Sequence, residues 1–331
     1  MNLVDKKDKI FVAGHKGMVG SAILRSLIRK GYENILTVSR DELDLTNYEA
    51  VKTWFKKRKP EVVIIAAAKV GGIFANSNLP TEFLLENLKI QNNIIECAWK
   101  NDTKRLLFLG SSCIYPKLAK QPIKETYLLN GALEETNEAY AIAKISGIKL
   151  CQFLFNQYEF DAISLMPTNL YGPGDNYHSL NSHVLPALIR KFYFASKEKK
   201  DIVECWGTGK ALREFLHVDD LGDACIFILE KWNPRNLIKN SIDKSKVINY
   251  MNVGSGKDIS IKDLAKIIAK NTNFSGKIHW DKSKPDGTPR KLLDISNLLR
   301  LGWSPKIELY DGIKKTIKDF ELNFENNNLR C

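Results

Sequence analysis

The feature that most constrains the fold of this chain is a glycine-rich loop near its start. The stretch Lys9-Ile-Phe-Val-Ala-Gly14-His-Lys-Gly17-Met-Val-Gly20 joins an apolar strand pattern to a helical pattern that continues from Ser21. Glycines in such a loop allow a tight turn and let a pyrophosphate approach backbone N–H groups at the start of a helix. This context predicts a dinucleotide-binding β–α unit, in which the cofactor-contacting residues are Gly14, Lys16, Gly17, Met18, Val19 and Gly20.

Short apolar runs alternate with helical patterns through the first half of the chain. Residues 10–13, 35–38, 62–65, 106–109 and 162–166 each have the composition of a strand that is buried on both faces. The alternation predicts an α/β fold with a Rossmann-type doubly wound parallel sheet. After Pro173 the signals are mixed, which predicts a smaller, interleaved α/β substrate-binding lobe with the substrate cleft between the two parts.

These patterns also give approximate domain boundaries. Residues 1–173 and about 214–255 are predicted to form the nucleotide-binding domain, and residues 174–213 and 256–322 the substrate lobe. Residues 232–246 form a polar insertion, rich in Asn and Lys, that we relate to no chemistry. Residues 323–331 are predicted to be a flexible tail.

Composition limits the classes of protein that fit. With 331 residues, of which 44% are hydrophobic, the chain can bury one large α/β core and a smaller lobe. The longest apolar run, residues 62–68, is too short to span a bilayer and no targeting segment is visible, so we expect a soluble, cytoplasmic protein without a membrane partner. Six scattered cysteines without a CxxC pair and five histidines without metal-ligand spacing predict reduced thiols and no metal.

The formal net charge of +12 fits nucleic acid as well as small anionic ligands. The placement of the basic residues along the chain favours the small ligands. The basic runs at residues 56–59 and 197–200 end amphipathic segments, and no aromatic side chains among them would stack on bases. We therefore expect no nucleic-acid partner. A positive pocket would instead attract nucleotide phosphates.

The residues that follow the second predicted strand decide which dinucleotide fits. An NAD enzyme places Asp or Glu there to accept bonds from the ribose 2′-OH, whereas Thr37-Val-Ser39 is followed here by Arg40. Arg40 is suited to a 2′-phosphate and Lys16 adds a second positive charge, so NADP(H) is the expected cofactor. Asp41 keeps NAD open, because a small error in the strand end would place a carboxylate there. Candidates for the adenine and nicotinamide sides are Asp44, Leu45 and Ala67.

A tyrosine and a lysine four residues apart supply the chemistry of the candidate site. In Tyr140-Ala-Ile-Ala-Lys144 the two side chains lie one helical turn apart on one face, where the cation would favour the tyrosinate and make Tyr140 a usable proton donor. Ser111 lies earlier in the chain, just after the strand predicted at 106–109. A nucleotide loop, then a strand-end serine, then this pair, is the order in which the sequence resembles the short-chain dehydrogenase/reductase family.

Longer blocks narrow the resemblance within that superfamily. From about residue 10 to residue 303 the chain is similar to the GDP-L-fucose synthase family. The blocks that carry the similarity are Ala67-Ala-Lys-Val-Gly-Gly-Ile73, Ser111-Ser-Cys-Ile-Tyr-Pro-Lys117, Glu134-Glu-Thr-Asn-Glu138, Met166-Pro-Thr-Asn-Leu-Tyr-Gly-Pro173, Ser182-His-Val-Leu-Pro186, Arg213-Glu-Phe-Leu-His-Val-Asp-Asp220 and Pro285-Asp-Gly-Thr-Pro-Arg-Lys291. The resemblance implies conversion of GDP-4-keto-6-deoxy-D-mannose to GDP-L-fucose, by inversion at C3 and C5 and then reduction of the C4 ketone with NADPH.

The resemblance also implies roles for individual residues. Ser111 and Tyr140 would donate hydrogen bonds to O4, Cys113 would remove the protons, and His183 would return them on the opposite side. Lys144 would keep the pKa of Tyr140 low and reach the nicotinamide ribose. Implied cofactor contacts further along the chain are Pro167, Asn169, Leu170 and His183, and implied substrate contacts are Asn169, Lys191 or its neighbour Arg190, Trp206, Arg213 and Lys291. A homodimer that pairs through helices such as the one carrying Tyr140 is also expected.

Other functions stay open on the sequence. A 4-epimerase that keeps its NAD, or a 4,6-dehydratase, would share the fold, but a dehydratase needs an acidic residue beside the catalytic serine, where this chain has Cys113. A non-catalytic NADPH-binding regulator would have no need of Ser111, Tyr140 and Lys144 together. NADPH consumption with a keto-sugar nucleotide distinguishes an enzyme from such a regulator.

Overall fold

The computed structural model of the chain describes residues 2–179, 181–238, 248–284 and 286–330. The strands in these residues are β1 (Ile10–Ala13), β2 (Ile35–Leu36), β3 (Val62–Ile65), β4 (Arg105–Leu109), β5 (Ala162–Pro167), β6 (Asn169–Tyr171), β7 (Ile202–Trp206), β8 (Leu212–His217), β9 (Tyr250–Val253), β10 (Asp258–Ser260), β11 (Lys277–Asp281) and β12 (Arg290–Lys291).

The α-helices are α1 (Met18–Arg29), α2 (Tyr48–Arg58), α3 (Ile73–Asn78), α4 (Pro80–Lys100), α5 (Glu138–Tyr158), α6 (Val184–Lys197), α7 (Val218–Lys231), α8 (Arg235–Ile238), α9 (Ile261–Asn271), α10 (Ser296–Arg300) and α11 (Leu309–Glu325). Short 3₁₀ turns span Ser112–Ile114, Glu125–Tyr127 and Glu135–Asn137. None of the helices in the described residues is both long and apolar enough to cross a bilayer.

The central sheet has the strand order β2-β1-β3-β4-β5-β9, and every neighbouring pair is parallel. All residues of β1, β3, β4 and β5 are buried, as expected for strands with helices on both faces. Successive residues serve opposite faces: Phe11 joins one apolar cluster with Phe108, and Val12 joins the other with Leu107. The predicted doubly wound α/β fold is confirmed.

The strand order reverses at β1, and this reversal places the nucleotide loop. From β1 the chain passes through α1 to β2 on one side, and then through α2 to β3 on the other. In doubly wound sheets the crevice beyond the carboxyl ends of the two diverging strands is where ligands bind. Gly14 follows β1 at this edge, and Ala66 and Ala67 follow β3.

A second, smaller sheet contains β10, β8 and β12, with β6 paired to β8, and β7 and β11 form a separate parallel pair. A third apolar cluster includes Phe192 of α6, Ile268 of α9 and Phe320 of α11. β6 and residues 214–217 of β8 lie in the smaller sheet, although the boundaries predicted above assign them to the nucleotide-binding domain. The division into two interleaved domains stays a prediction, and these two segments are reassigned to the substrate lobe.

The flexibility of the tail at 323–331 stays a prediction, but its described part, residues 323–330, contacts the rest of the fold. Helix α11 continues to Glu325, the amide of Tyr177 donates to the carbonyl of Arg330 at 2.8 Å, and Leu329 packs against the third apolar cluster. The tail is therefore docked on the loop that precedes α6.

The predicted insertion at 232–246 begins later than its composition suggests. Trp232 is buried in the core of the nucleotide-binding part, and the guanidinium of the buried Arg105 donates to its carbonyl. Arg105 is itself paired with Asp161 at 2.8 Å. A short helix, α8, follows, and residues 239–246 lie outside the described part of the chain.

Candidate active site

The glycine loop is shaped by two close approaches of backbone. Gly14 has a φ of +84°, and a Cβ there would lie 2.6 Å from the amide nitrogen of Ala67. A Cβ on Gly20 would lie 2.1 Å from the carbonyl oxygen of Gly14. Only glycine therefore fits at either position, so the loop is drawn tightly across the crevice between β1 and β3.

Helix α1 starts directly from this loop and leaves its first-turn amides facing the crevice. Gly17 is the N-cap residue, with no side chain to satisfy the first amides, and the first turn carries no acidic residue. The helix dipole therefore favours an anion at Met18 and Val19. This arrangement fits the pyrophosphate of a dinucleotide, as the sequence predicts.

The segment after β2 contains Arg40, and also a carboxylate close to Lys16 of the glycine loop that sequence reasoning missed. Arg40 and Lys16 are both exposed. The amide and hydroxyl of Ser39 bind the carboxylate of Glu42 at 2.9 and 2.7 Å, which lowers the pKa of Glu42, and the charge of Lys16 lowers it further. β2 ends at Leu36, so Asp41 lies well beyond the strand end.

The other predicted contacts of the adenine side lie in the same segment. Arg40 contributes to a lowered pKa of Asp44, after the bonds that Asp44 accepts from Thr46. Leu45 is half-buried against the apolar cluster that contains Phe11.

Ser111 and Cys113 lie in a tight turn just beyond the carboxyl end of β4. Ser111 caps the 3₁₀ turn, because its hydroxyl oxygen accepts a hydrogen bond from the amide of Cys113 at 3.3 Å. Cys113 is 8% exposed and lines a cavity with Glu134, Asn137 and Lys291. Burial raises the pKa of Cys113, while Lys291, the bond from Ser111 and Lys144 lower it.

Tyr140 and Lys144 project from the first turns of α5 towards the same place. Lys144 is 3% exposed; its ammonium donates to the carbonyl of Leu109 at 2.8 Å and lies 5.7 Å from the centre of the Tyr140 ring. Burial lowers the pKa of Lys144 to about 8, and the charge of Cys113 acts in the opposite direction. The lysine is therefore anchored at the end of β4, next to Ser111.

The expected lowering of the Tyr140 pKa by Lys144 is not what the structure gives. Burial raises the pKa of Tyr140, and the charge of Cys113 raises it further. The physical reason is that a phenol loses solvation of its anion on burial, while the lysine ammonium faces the ring and the Leu109 carbonyl. Tyr140 is consequently a neutral hydrogen-bond donor in this environment.

His183 follows a loop that a backbone contact ties to the segment after β3. It is the exposed N-cap residue of α6, and the amide of Gly72 donates to the carbonyl of Asn181 at 2.9 Å. A Cβ on Gly72 would lie 2.6 Å from the carbonyl of Ser182. The surrounding protein lowers the pKa of His183 by desolvation, and Lys291 lowers it further, so Lys291 acts electrostatically on both His183 and Cys113.

Two predicted substrate residues are direct neighbours in the smaller sheet. Lys291 of β12 pairs in register with Arg213 of β8. Burial lowers the pKa of each; Asp286 and then Glu134 oppose this for Arg213, and Cys113 and then Glu134 oppose it for Lys291. The guanidinium of Arg213 also donates to the carbonyl of Asp286 at 3.2 Å. Two adjacent cations in a cleft favour an anionic ligand such as a diphosphate.

Trp206 lies at the end of β7 with two lysines beside its ring. Lys191 and Lys284 have their ammonium groups 5.8 and 5.7 Å from the ring centre, and the indole is 57% exposed. Sequence reasoning missed Lys284, since nothing local connects it to Trp206. Arg190, the alternative to Lys191, donates to the carbonyl of Tyr177 at 2.9 Å and lies 5.5 Å from the Phe194 ring.

The remaining predicted residues lie where the two sheets meet. Pro167 ends β5 opposite Val253, and Leu170 of β6 pairs with Leu216. The side-chain amide of Asn169 donates to the carbonyl of Glu214 at 2.7 Å. Among the described residues, no group of three or more His, Cys, Asp or Glu is arranged to hold a metal ion.

Comparisons with known proteins agree on one family. The model of the NAD dependent epimerase/dehydratase family matches residues 10–238. GDP-L-fucose synthase 1 of Arabidopsis thaliana is 52% identical over 315 residues, which is 95% of this chain and 94% of that protein. The crystal structure of a GDP-6-OMe-4-keto-L-xylo-heptose reductase from C. jejuni has a TM-score of 0.90 and 38% identity, and covers 97% of this chain and 99% of its own. The GDP-L-fucose synthetase of Naegleria fowleri bound to NADP has a TM-score of 0.85 and 27% identity, with 97% and 96% covered.

Proposed function

Because this chain belongs to the NAD dependent epimerase/dehydratase family, and within it to the GDP-L-fucose synthases, we infer that it converts GDP-4-keto-6-deoxy-D-mannose to GDP-L-fucose. The enzyme inverts C3 and C5 and reduces the C4 ketone, and its cofactor is NADP(H). The observation in the structure that supports this reaction best is the convergence of Cys113, Tyr140 and Lys144 beyond the end of β4. One site then holds both a thiol for epimerisation and a phenol for reduction.

For epimerisation we propose that Cys113 removes the protons at C3 and C5. These protons are acidic only while the ketone oxygen at C4 is held, and the hydroxyls of Ser111 and Tyr140 are suitable donors to it. Positive charge from Lys291 and Lys144 favours the thiolate against the effect of burial. The dehydratase alternative finds no support, since Cys113 occupies the place beside Ser111 where that reaction needs an acid.

His183 is proposed to return the proton on the other side of the sugar. It lies at the start of α6, on a loop that the backbone of Gly72 holds in place. Desolvation and Lys291 lower its pKa, which makes the protonated imidazole a stronger acid towards the carbanion. Proton removal and proton return are therefore assigned to residues on different elements, the turn after β4 and the start of α6.

For reduction we propose that Tyr140 protonates the C4 oxygen. Its raised pKa keeps the phenol protonated before the step, and an alkoxide is a strong enough base to accept that proton. When bound, NADPH supplies the hydride. The glycine loop with Gly14, Gly17 and Gly20 is proposed to hold its pyrophosphate, and Lys144 its nicotinamide ribose.

The 2′-phosphate is proposed to bind between Arg40 and Lys16. Both side chains are exposed near the end of β2, and the charge of Lys16 acts on Glu42 in the same segment. On the sugar-nucleotide side, Arg213 and Lys291 are proposed to pair with the diphosphate, Trp206 with Lys191 to bind the nucleoside, and Asn169 to bind the hexose.

A homodimer in the cytoplasm is proposed as the working form. The outer faces of α4 and α5 expose Leu85, Ile142 and Phe153, which are 48%, 42% and 59% exposed. Neighbouring exposed apolar side chains on two long helices suit burial against a second copy. Light scattering of the purified chain would give the mass of the assembly, and a monomer at micromolar concentration would refute the dimer.

The test of the reaction is turnover of NADPH with GDP-4-keto-6-deoxy-D-mannose, followed by NMR of the product. GDP-L-fucose is the expected product, and Tyr140→Phe should lower the rate at least about a hundredfold, as loss of a general acid does. A folded enzyme that consumed no NADPH would contradict the proposal. So would a product that was reduced at C4 but kept its C3 and C5 configuration, since that would be a reductase without epimerase activity.

A further inference from the structure

The cavity beside Cys113 contains a carboxylate to which the reaction described above gives no role. Glu134 lies just before the 3₁₀ turn that leads into α5, and its side chain is 18% exposed. It lines the same cavity as Cys113 and Lys291. An unassigned negative charge next to a proposed thiolate base is unexpected, because it disfavours the anion that catalysis needs.

Three cations interact with this carboxylate, one of them at ion-pair distance. Lys117 approaches it at 3.2 Å, and Arg213 and Lys291, which are register neighbours, each have their pKa raised by its charge. Hydroxyls of two threonines complete the surroundings: Thr288 lies 3.5 Å from one carboxylate oxygen, and Thr136 lies 3.5 Å from the other. Glu134 is thus a carboxylate bordered by basic side chains on one wall of the cavity.

A contribution of Glu134 to stability alone explains little of this arrangement. The Lys117 side chain is 40% exposed, and ion pairs with such exposure contribute little to stability. Arg213 and Lys291 are different, because burial disfavours the charge of each and they stand next to each other. Glu134 offsets both effects where the diphosphate and the hexose are proposed to bind.

We propose that Glu134 is a positioning residue for epimerisation: as the carboxylate in the Cys113 cavity it partly offsets the positive charge of Lys291 and so sets the net charge that the thiol experiences. The inference deepens the proposed function and rests on the assignment of Cys113 as the base. Tyr140 and Lys144 of α5 also interact electrostatically with Cys113, and Tyr115, Lys117 and Arg290 line the same cavity. Lys291 also lowers the pKa of His183, at the start of α6.

Two substitutions should move the titration of Cys113 in opposite directions. In Glu134→Gln the thiol loses a nearby negative charge, so its pKa should fall; in Lys291→Met it loses a positive charge, so its pKa should rise. Each shift should be about half a unit or more, the scale of one charge several ångströms away at a partly solvated site. Glu135→Gln is the matched control, since Glu135 is an exposed neighbour that does not line this cavity.

The measurement is the rate at which iodoacetamide alkylates Cys113 as a function of pH, followed by mass spectrometry of the peptide that contains it. The full-length protein is used, and the other cysteines do not interfere because each peptide is quantified separately. Opposite shifts for Glu134→Gln and Lys291→Met, with Glu135→Gln and the charge-preserving Glu134→Asp close to wild type, support the proposal. An unshifted Glu134→Gln, or shifts in the same direction, would overturn it.

A second readout separates this proposal from the assignment of Cys113. The pH midpoint for solvent-deuterium exchange into C3 and C5 should fall in Glu134→Gln, in parallel with alkylation. If Cys113→Ser still exchanged deuterium at the wild-type rate, the base assignment would fail while the alkylation result would still decide the effect of Glu134. If Cys113→Ser abolished exchange and Glu134→Gln left the midpoint unchanged, only the Glu134 proposal would fail.

Discussion

At the scale of single residues, Cys113 and Tyr140 share one pocket but need opposite protonation states. The thiol must lose its proton to act as a base, whereas the phenol must keep its proton until the alkoxide forms. Burial raises the pKa of both groups, and only Cys113 has cations that oppose this, above all Lys291. The distribution of positive charge therefore decides which group is the base and which is the acid.

Cys113→Ser should separate epimerisation from reduction. A serine hydroxyl has a pKa too high for proton removal, so exchange at C3 and C5 should stop. Ser111, Tyr140 and Lys144 stay in place, so the variant should slowly reduce the unepimerised substrate to a 6-deoxyhexose of the D series. Product NMR in deuterated water measures both steps. Wild-type exchange and normal GDP-L-fucose formation would mean that Cys113 only packs.

Arg40 should set the preference for NADPH over NADH. Its replacement by a neutral residue such as Gln removes one charge-assisted bond to the 2′-phosphate, so NADPH affinity should fall about tenfold to a hundredfold while NADH affinity changes little. Fluorescence titration with both cofactors gives the ratio. Equal losses for the two cofactors would place Arg40 away from the 2′-phosphate.

At the scale of elements, the entry to α1 depends on how closely two backbone segments approach. The helix begins one residue after Gly17 and is pulled onto the loop so that Gly20 nearly touches the carbonyl of Gly14. No side chain can enter that contact. The loop packs closely because its glycines have no side chains. For the same reason it leaves room for a pyrophosphate in the crevice.

Gly20→Ala should therefore damage cofactor binding more than Gly17→Ala. A Cβ at residue 20 would lie 2.1 Å from a backbone oxygen, whereas a Cβ at residue 17 would lie 3.3 Å from the same atom. The first requires the loop to move, at a cost of about 2 kcal/mol or more; the second requires a small adjustment. Thermal unfolding and NADPH titration of the two variants compare them. Wild-type affinity in Gly20→Ala would show that the loop does not hold the cofactor.

Elements with a local signature were predictable from the sequence, and contacts between distant segments were not. Strand β3 was predictable to the residue, because its run of β-branched residues follows the polar Glu61 and gives way to small residues at Ala66. The glycine loop was predictable because its turn needs particular residues in a row. Lys284 and Glu134 were missed, since each acts through neighbours that are far away in the chain. The pKa direction of Tyr140 was also missed, because burial cannot be read from helical spacing.

At the scale of the whole molecule, the C-terminal segment and the loop before α6 form one packed unit. Asp175 is 3% exposed in that loop, its charge raises the already high pKa of the buried Tyr177, and Arg330 donates to the carbonyl of Gly174 at 3.3 Å. Burial raises the pKa of Asp175 from 3.8 to about 7, with smaller opposing effects from the hydrogen bond of the Asn176 amide and from Arg330. The unit therefore contains a carboxyl group that favours its protonated form.

The free energy of unfolding should fall as pH rises through this range because of Asp175. The folded protein keeps a proton on Asp175 up to about pH 7 that the unfolded chain releases near pH 3.8, so stability from this group is present at low pH and lost as pH rises. Asp175→Asn should remove that loss, which is about a few kcal/mol at most. The variant should therefore be more stable than wild type by a larger margin at pH 8 than at pH 5. Melting temperatures at both values measure it, with Asp311→Asn on the exposed face of α11 as control. An equal difference at both values would contradict the raised pKa.

The hydrogen bond between Tyr177 and Arg330 also orders events in time as the chain is made. The glycine loop and its partner Ala67 are both synthesised early, whereas the loop that leads to His183 gains its last anchor only when Arg330 has been added. At typical rates of synthesis that delay is about 8–30 seconds after Tyr177. A nascent chain should therefore assemble its nucleotide crevice first and complete the sugar side of the cleft last.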